Sequence, residues 1–167
     1  MTDDNLSKSL DVIDCNKRGF DKLCKKFEAL SQSELHELLS EYFKVLLNPL
    51  AEIYNDKEKP KYTLMTSALV AANIDGEFTV SEFRQTSNLL ELCFGRKYSF
   101  EEAKEIVQDQ TKDLTSSKAF VENVYNMLHS YDETMGAIYI MFLTGIICAD
   151  KDASRPERKW IYEILKK

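Results

Sequence analysis

Apolar residues recur along this chain at the spacing of a helix face, and no run of 4 to 8 residues alternates convincingly in the manner of a strand. Within residues 4 to 14, Leu6, Leu10 and Ile13 predict a short, loosely docked first helix. Phe20, Leu23, Cys24, Phe27 and Leu30 form a clearer stripe, ending near Leu30. Ser31-Gln32-Ser33-Glu34 reads as a capping box opening a long helix, with Leu35, Leu38, Leu39, Tyr42, Phe43, Leu46, Leu50, Ile53 and Tyr54 inward and Pro49 predicting a kink or split near Asn48. Residues 55 to 61 are polar and predict a loop.

Tyr62 to Ile74 is apolar on nearly all sides, which predicts a helix enclosed by others. Thr79 with Glu82 makes a second box, and Val80, Phe83, Leu89, Leu90 and Cys93 mark the inner face of a helix stopped by Gly95. Ser99 with Glu102 starts another through Ala103, Ile106 and Val107. Ser116 or Ser117 starts the next, carrying Phe120, Val121, Val124, Tyr125, Leu128 and Tyr131. Thr134 to Ala149 is a second all-round apolar helix, and Ser154 with Glu157 boxes a last one through Trp160, Ile161, Ile164 and Leu165. The pattern predicts an all-α compact bundle of about seven to eight helices, one domain over residues 1–167, with N-terminal helices in 1–60 and a repeat region in 61–167.

The repeat is the most informative feature. Asp75, Glu82, Leu89 and Leu90 recur 75 positions later as Asp150, Glu157, Ile164 and Leu165. Each copy is a buried helix, a short turn and an amphipathic helix, and two such hairpins about a pseudo-twofold axis bring their turns together. The glutamates have a local explanation, since each reaches back to its own N-cap. The aspartates have less of one, because an acid at a helix C-terminus opposes the dipole by about 0.3–1 kcal/mol.

Four converging carboxylates need protons, a basic partner or a metal ion, each pair at about 4 Å repelling by about 4 kcal/mol. Without His or thiolate they are hard oxygen donors suited to Ca²⁺, alternatively Mg²⁺ or Mn²⁺. An EF-hand is excluded, because its first and third loop positions would be Ala71 and Asn73, and Ile146 and Cys148 in the second copy.

Composition narrows the classes. Hydrophobic residues make up 44%, with 5 Gly and 3 Pro, as in a compact helical protein. A net charge of −6 argues against a nucleic-acid surface, and the basic run from Lys151 to Lys167 reads as a solvated face. Cysteines at 15, 24, 93 and 148 make neither a zinc motif nor a disulfide framework, so a reduced, cytoplasmic setting is expected. No secretory signal or membrane-spanning run is read. Di-iron Glu-x-x-His, phosphate-loop and nucleophile-elbow patterns are missing, so the protein is expected not to be an enzyme.

An apolar helix ending in Asp-Gly, followed by an acid seven positions on and repeated once, resembles the tellurite-resistance TerB-like family. The resemblance rests on Ala72-Asn73-Ile74-Asp75-Gly76-Glu77 with Glu82, and is clearest over residues 61–167; the second copy departs from it with Lys151 where Gly is usual. It implies an all-helical domain with an acidic, metal-binding centre. By position that centre is Asp75, Glu82, Asp150 and Glu157, with Glu77 and Asp152 as outer candidates. It also implies a cytoplasmic stress-response role with protein partners, some at the inner membrane face. A metal-free interaction scaffold and a carboxylate-metal hydrolase are the alternatives.

Overall fold

The computed structural model describes residues 17 to 166 as a bundle of helices around one hydrophobic core. The helix expected within residues 4 to 14 lies outside the described residues. In chain order the helices are α1 (Lys17–Glu28), α2 (Gln32–Tyr54), α3 (Lys59–Ala72), α4 (Val80–Phe94), α5 (Phe100–Gln110), α6 (Leu114–Tyr131), α7 (Glu133–Ile147) and α8 (Arg155–Lys166). No strand occurs among the described residues.

α3 and α7 are the inner helices. α7 is buried continuously from Ile138 to Ile147, and α3 from Ser67 to Ala72. They are joined where the buried Tyr139 hydroxyl donates to Ser67 Oγ at 2.7 Å. α7 also packs against α1, α2, α4, α6 and α8. Gly145 permits the approach of α2, because a Cβ there would lie 2.5 Å from Leu39 Cδ2. Burying apolar side chains at about 25 cal/mol per Å² is the main force holding these layers.

All four expected capping boxes form, at Ser31, Thr79, Ser99 and Ser154, each N-cap side chain accepting from the amide of the Glu three residues on. Other boundaries differ from expectation. Pro49 neither splits nor ends α2, which runs unbroken for 23 residues; burial of Leu46 and Leu50 on either side outweighs the lost bond, worth about 3 kcal/mol. α3 begins at Lys59 rather than Tyr62, with Pro60 in its first turn and Asp56 Oδ1 accepting from the Glu58 and Lys59 amides. α6 begins at Leu114, capped by Asp113 rather than by Ser116 or Ser117; the Ser116 amide donates to Asp113 instead. Val80 and Tyr131, expected on inner faces, are exposed, because each sits at a helix end beyond the reach of the core.

Candidate functional site

The turns at 73–79 and 148–154 share their internal hydrogen bonds. In the first, Gly76 N–H donates to Asn73 O at 3.1 Å and adopts φ +81°, while Asp75 Oδ1 accepts from Glu77 N–H at 3.0 Å. In the second, Lys151 N–H donates to Cys148 O at 3.0 Å, Lys151 adopts φ +66°, and Asp150 Oδ1 accepts from Asp152 N–H at 3.1 Å. Lys151 thus departs from glycine in identity but takes the same left-handed conformation, which costs a side-chain-bearing residue about 1 kcal/mol.

This geometry corrects the reading of the aspartates. The helices stop at Ala72 and Ile147, so Asp75 and Asp150 lie beyond the helix ends rather than against the dipole. Each makes a turn-forming bond to the amide two residues on, a local role that Asp and Asn share. The glutamates do what the capping rule requires, Glu82 Oε2 accepting from Thr79 N–H at 2.8 Å and Glu157 Oε2 from Ser154 N–H at 3.2 Å. One oxygen of each is thereby used.

What capping leaves over is the chemically interesting part. Glu82 and Glu157 are 0% and 1% exposed, and Glu82 Oε1 is buried with no hydrogen-bond partner. Burial, followed by the Asp75 hydrogen bond and the charges of Asp75 and Glu82, pushes Glu157 up to about 9. Burial, followed by the charges of Asp150 and then Asp75, pushes Glu82 up to about 8 against the opposing Thr79 amide. Asp150 is also raised, by burial first and by Asp152 and Asp75 after it. Each turn's aspartate thus acts on the other hairpin's glutamate, which couples Asp75, Glu82, Asp150 and Glu157 electrostatically. Glu77 and Asp152 are exposed and stand outside this group.

Among the described residues, no group of three or more His, Cys, Asp or Glu is arranged to hold a metal ion. Burial and the neighbouring carboxyls favour the protonated forms of Glu82 and Glu157 here. The group's donor chemistry, four carboxyls and one orphaned oxygen, fits a hard cation that would replace the protons.

The turns are anchored differently from outside, and this no spacing in the sequence announced. Asn73 Nδ2 donates to Thr111 Oγ1 at 2.7 Å, tying the first turn to the end of α5. The second is tied to α1, where Glu28 Oε1 accepts from Ala153 N–H at 3.2 Å and lies 3.6 Å from Arg158 Nη2. Gln32 Nε2 donates to Ala149 O at 2.6 Å and Gln85 Nε2 donates to Gln32 Oε1 at 2.9 Å, linking this turn to α4 one helical turn beyond Glu82.

A groove of about 390 Å³ opens between α2 and α4, with Leu39, Phe43, Leu47, Leu89 and Phe142 on its walls and none of the four carboxylates in its lining. His36, at its mouth, has Nε2 3.1 Å from Asn88 Nδ2, while His129 is exposed and stacks on Tyr125. Among the described residues no helix is long and apolar enough to cross a membrane. No family model, curated protein or solved structure matches the chain.

Proposed function

We propose that the two turns form a divalent-cation centre in a TerB-like, tellurite-resistance-related stress-response protein that works by binding partners rather than by catalysis. The observation that carries this is the buried, unpartnered Glu82 Oε1, beside a Glu157 that burial and the Asp75 carboxyl push upward. A buried carboxylate oxygen without a partner is costly, and a cation would satisfy it. Asp75, Glu82, Asp150 and Glu157 would hold the ion about a pseudo-twofold axis between the hairpins, Ca²⁺ first and Mg²⁺ or Mn²⁺ as alternatives. Glu77 and Asp152 would stand outside, adding charge. The cellular setting, cytoplasmic with protein partners that include some at a membrane face, rests on the family resemblance.

A metal-free interaction scaffold is the second reading, favoured by the lack of a ready-made ion cage among the described residues. In it the acids would receive a basic side chain of a partner. The hydrolase alternative has no observation in its favour, since the groove between α2 and α4 is not built around the carboxylates.

Melting curves of metal-free protein separate these readings. Ca²⁺ or Mn²⁺ at 1,000 times its Kd is expected to add about 4 kcal/mol to wild-type stability. The Asp75→Asn/Asp150→Asn variant, which keeps both turn-forming oxygens, is expected to lose that response. A wild type indifferent to millimolar ion would rule out the cation centre.

A further inference from the structure

The groove between α2 and α4 serves neither the cation reading nor the scaffold reading. Leu39, Phe43 and Leu47 of α2 and Leu89 and Leu92 of α4 line its sides at helix-face spacing, and the buried Phe142 of α7 completes the apolar lining. The two helices are pinned at one end, where Gln85 Nε2 donates to Gln32 Oε1 at 2.9 Å and Asn88 Nδ2 lies 3.1 Å from His36 Nε2. Both links advance together along the two helices, so α2 and α4 run the same way and the trough leads from this clamp toward Leu47 and Leu92. Leu92 is 52% exposed and Leu47 and Leu89 are half-buried, so apolar surface is left open to water there.

Size decides what can lie in it. From His36 to Leu47 the α2 wall is about 16 Å long, so a volume of 390 Å³ gives a mean cross-section of about 24 Å². A helix with its side chains is about 10 Å across and needs about 80 Å². A single hydrocarbon chain, whose carbons keep about 4 Å from their neighbours, needs roughly 16 Å². The trough therefore admits one extended chain and is too narrow to seat a helix. Its volume also falls in the range of small-molecule sites, about 300–1,000 Å³. Charge decides the head group. On a chain of net charge −6, the lining includes the Lys44 ammonium and no carboxylate. One compact ammonium suits a singly charged anion.

We propose that this trough is a binding site for a single-chain fatty carboxylate, its head paired with Lys44 and its tail laid along Leu39, Phe43, Leu89 and Phe142 toward the His36–Asn88 clamp. Lys44 stands about 12 Å along α2 from His36, room for a tail of about ten carbons. The lysine stem lies over the apolar wall while its ammonium stays at the water's edge, where a carboxylate head can remain hydrated. The tail covers the leucines that the fold leaves half in water, and burial of its methylenes supplies most of the affinity. Lys44 chooses among head groups, because an ion pair at an exposed position adds little to affinity.

The test titrates the full chain, with a chelator present, with sodium decanoate below its micelle-forming concentration, following heat and amide spectra. One-to-one binding is expected, with shifts centred on Phe43, Leu89 and Leu92. Octanoate, two methylenes shorter, is expected to bind roughly tenfold more weakly. Decyltrimethylammonium, the same chain under the opposite charge, is expected to bind roughly fivefold more weakly. Lys44→Met, which keeps an apolar stem, should weaken decanoate roughly threefold and erase the preference between the two heads. Leu92→Glu, at an exposed position where folding is checked by an unchanged melting curve, should also weaken decanoate. Phe43 and Leu89 signals that stay in place at millimolar decanoate, the result expected if the trough instead receives side chains of a partner protein, would overturn the site. Equal affinity for both heads in the wild type would overturn the role of Lys44, and indifference to chain length would overturn the placing of the tail. No readout involves a metal, so this proposal stands or falls separately from the cation centre.

Discussion

The turns at 73–79 and 148–154 are near copies inside and strangers outside. Internally each has an aspartate bonding two residues ahead, a left-handed residue and a capping glutamate. Externally the first leans on Thr111 through a neutral side chain, whereas the second leans on α1 through Glu28, which also pairs with Arg158. The likeness sets the acidic group; the difference decides which surroundings can act on each half. The internal pattern follows from local rules of turns and caps, which need few residues to repeat. The external anchors are tertiary, and nothing obliges them to match.

The largest test of the likeness is pH. Glu82 and Glu157, ordinarily near 4.5, rise to about 8 and about 9 in the fold, so the folded state holds their protons more tightly than the unfolded one. Stability from these groups is complete below their ordinary value and is lost as pH climbs through 8 and 9. Metal-free protein should melt roughly 5 to 10 °C lower at pH 9 than at pH 5, and Glu82→Gln/Glu157→Gln should flatten that profile. If both turns contribute alike, each single variant removes about half of the slope. The same linkage requires that bound Ca²⁺ expel protons, so its affinity should rise by as much as tenfold per pH unit for each proton released.

A smaller effect probes the difference. Asn73→Ala and Glu28→Ala should each cost about 1 kcal/mol in denaturant unfolding, the worth of a hydrogen bond. Amide exchange should localise them, the first speeding Gly76 and the second speeding Ala153 and Lys151. Equal disturbance of both turns by either change would show the anchors to be shared.

The smallest effect exchanges the left-handed residues. Gly76→Ala meets nothing within 4 Å, so its cost is backbone strain alone, about 1 kcal/mol. Lys151→Gly relieves strain but frees the unfolded chain, and should come out within about 0.5 kcal/mol of neutral on the stabilising side. Opposite signs in chemical denaturation would establish that the two positions do one job.

Much of the all-helical arrangement was legible because its signals are local. Ser31, Thr79, Ser99 and Ser154 announced helix starts through a serine or threonine and a glutamate three residues on, and all four boxes form. Where the signal was overridden, the cause was tertiary. Pro49 stays in mid-helix because Leu46 and Leu50 hold both flanks in the core. Asp113 was passed over because a capping aspartate looks like any exposed acid until its Ser116 partner is seen. At the site, the four carboxylates could be named from the 75-position offset, yet the Asx role of Asp75 and Asp150 was missed although its i, i+2 pattern is readable. Glu28 against Ala153 had no sequence signal, since contact across more than a hundred positions leaves none in a single chain.

α7 has a consequence for how the molecule is made. It is the inner helix against which α1, α2, α3, α4, α6 and α8 all rest, yet it leaves the ribosome after all of them but one. Until Glu133 to Ile147 has emerged, the apolar faces of the earlier helices have no common partner, and the first turn waits without its opposite number. Assembly of the bundle is therefore a late event in synthesis, and a nascent chain arrested before residue 133 should present exposed apolar surface to chaperones rather than a folded amino-terminal half.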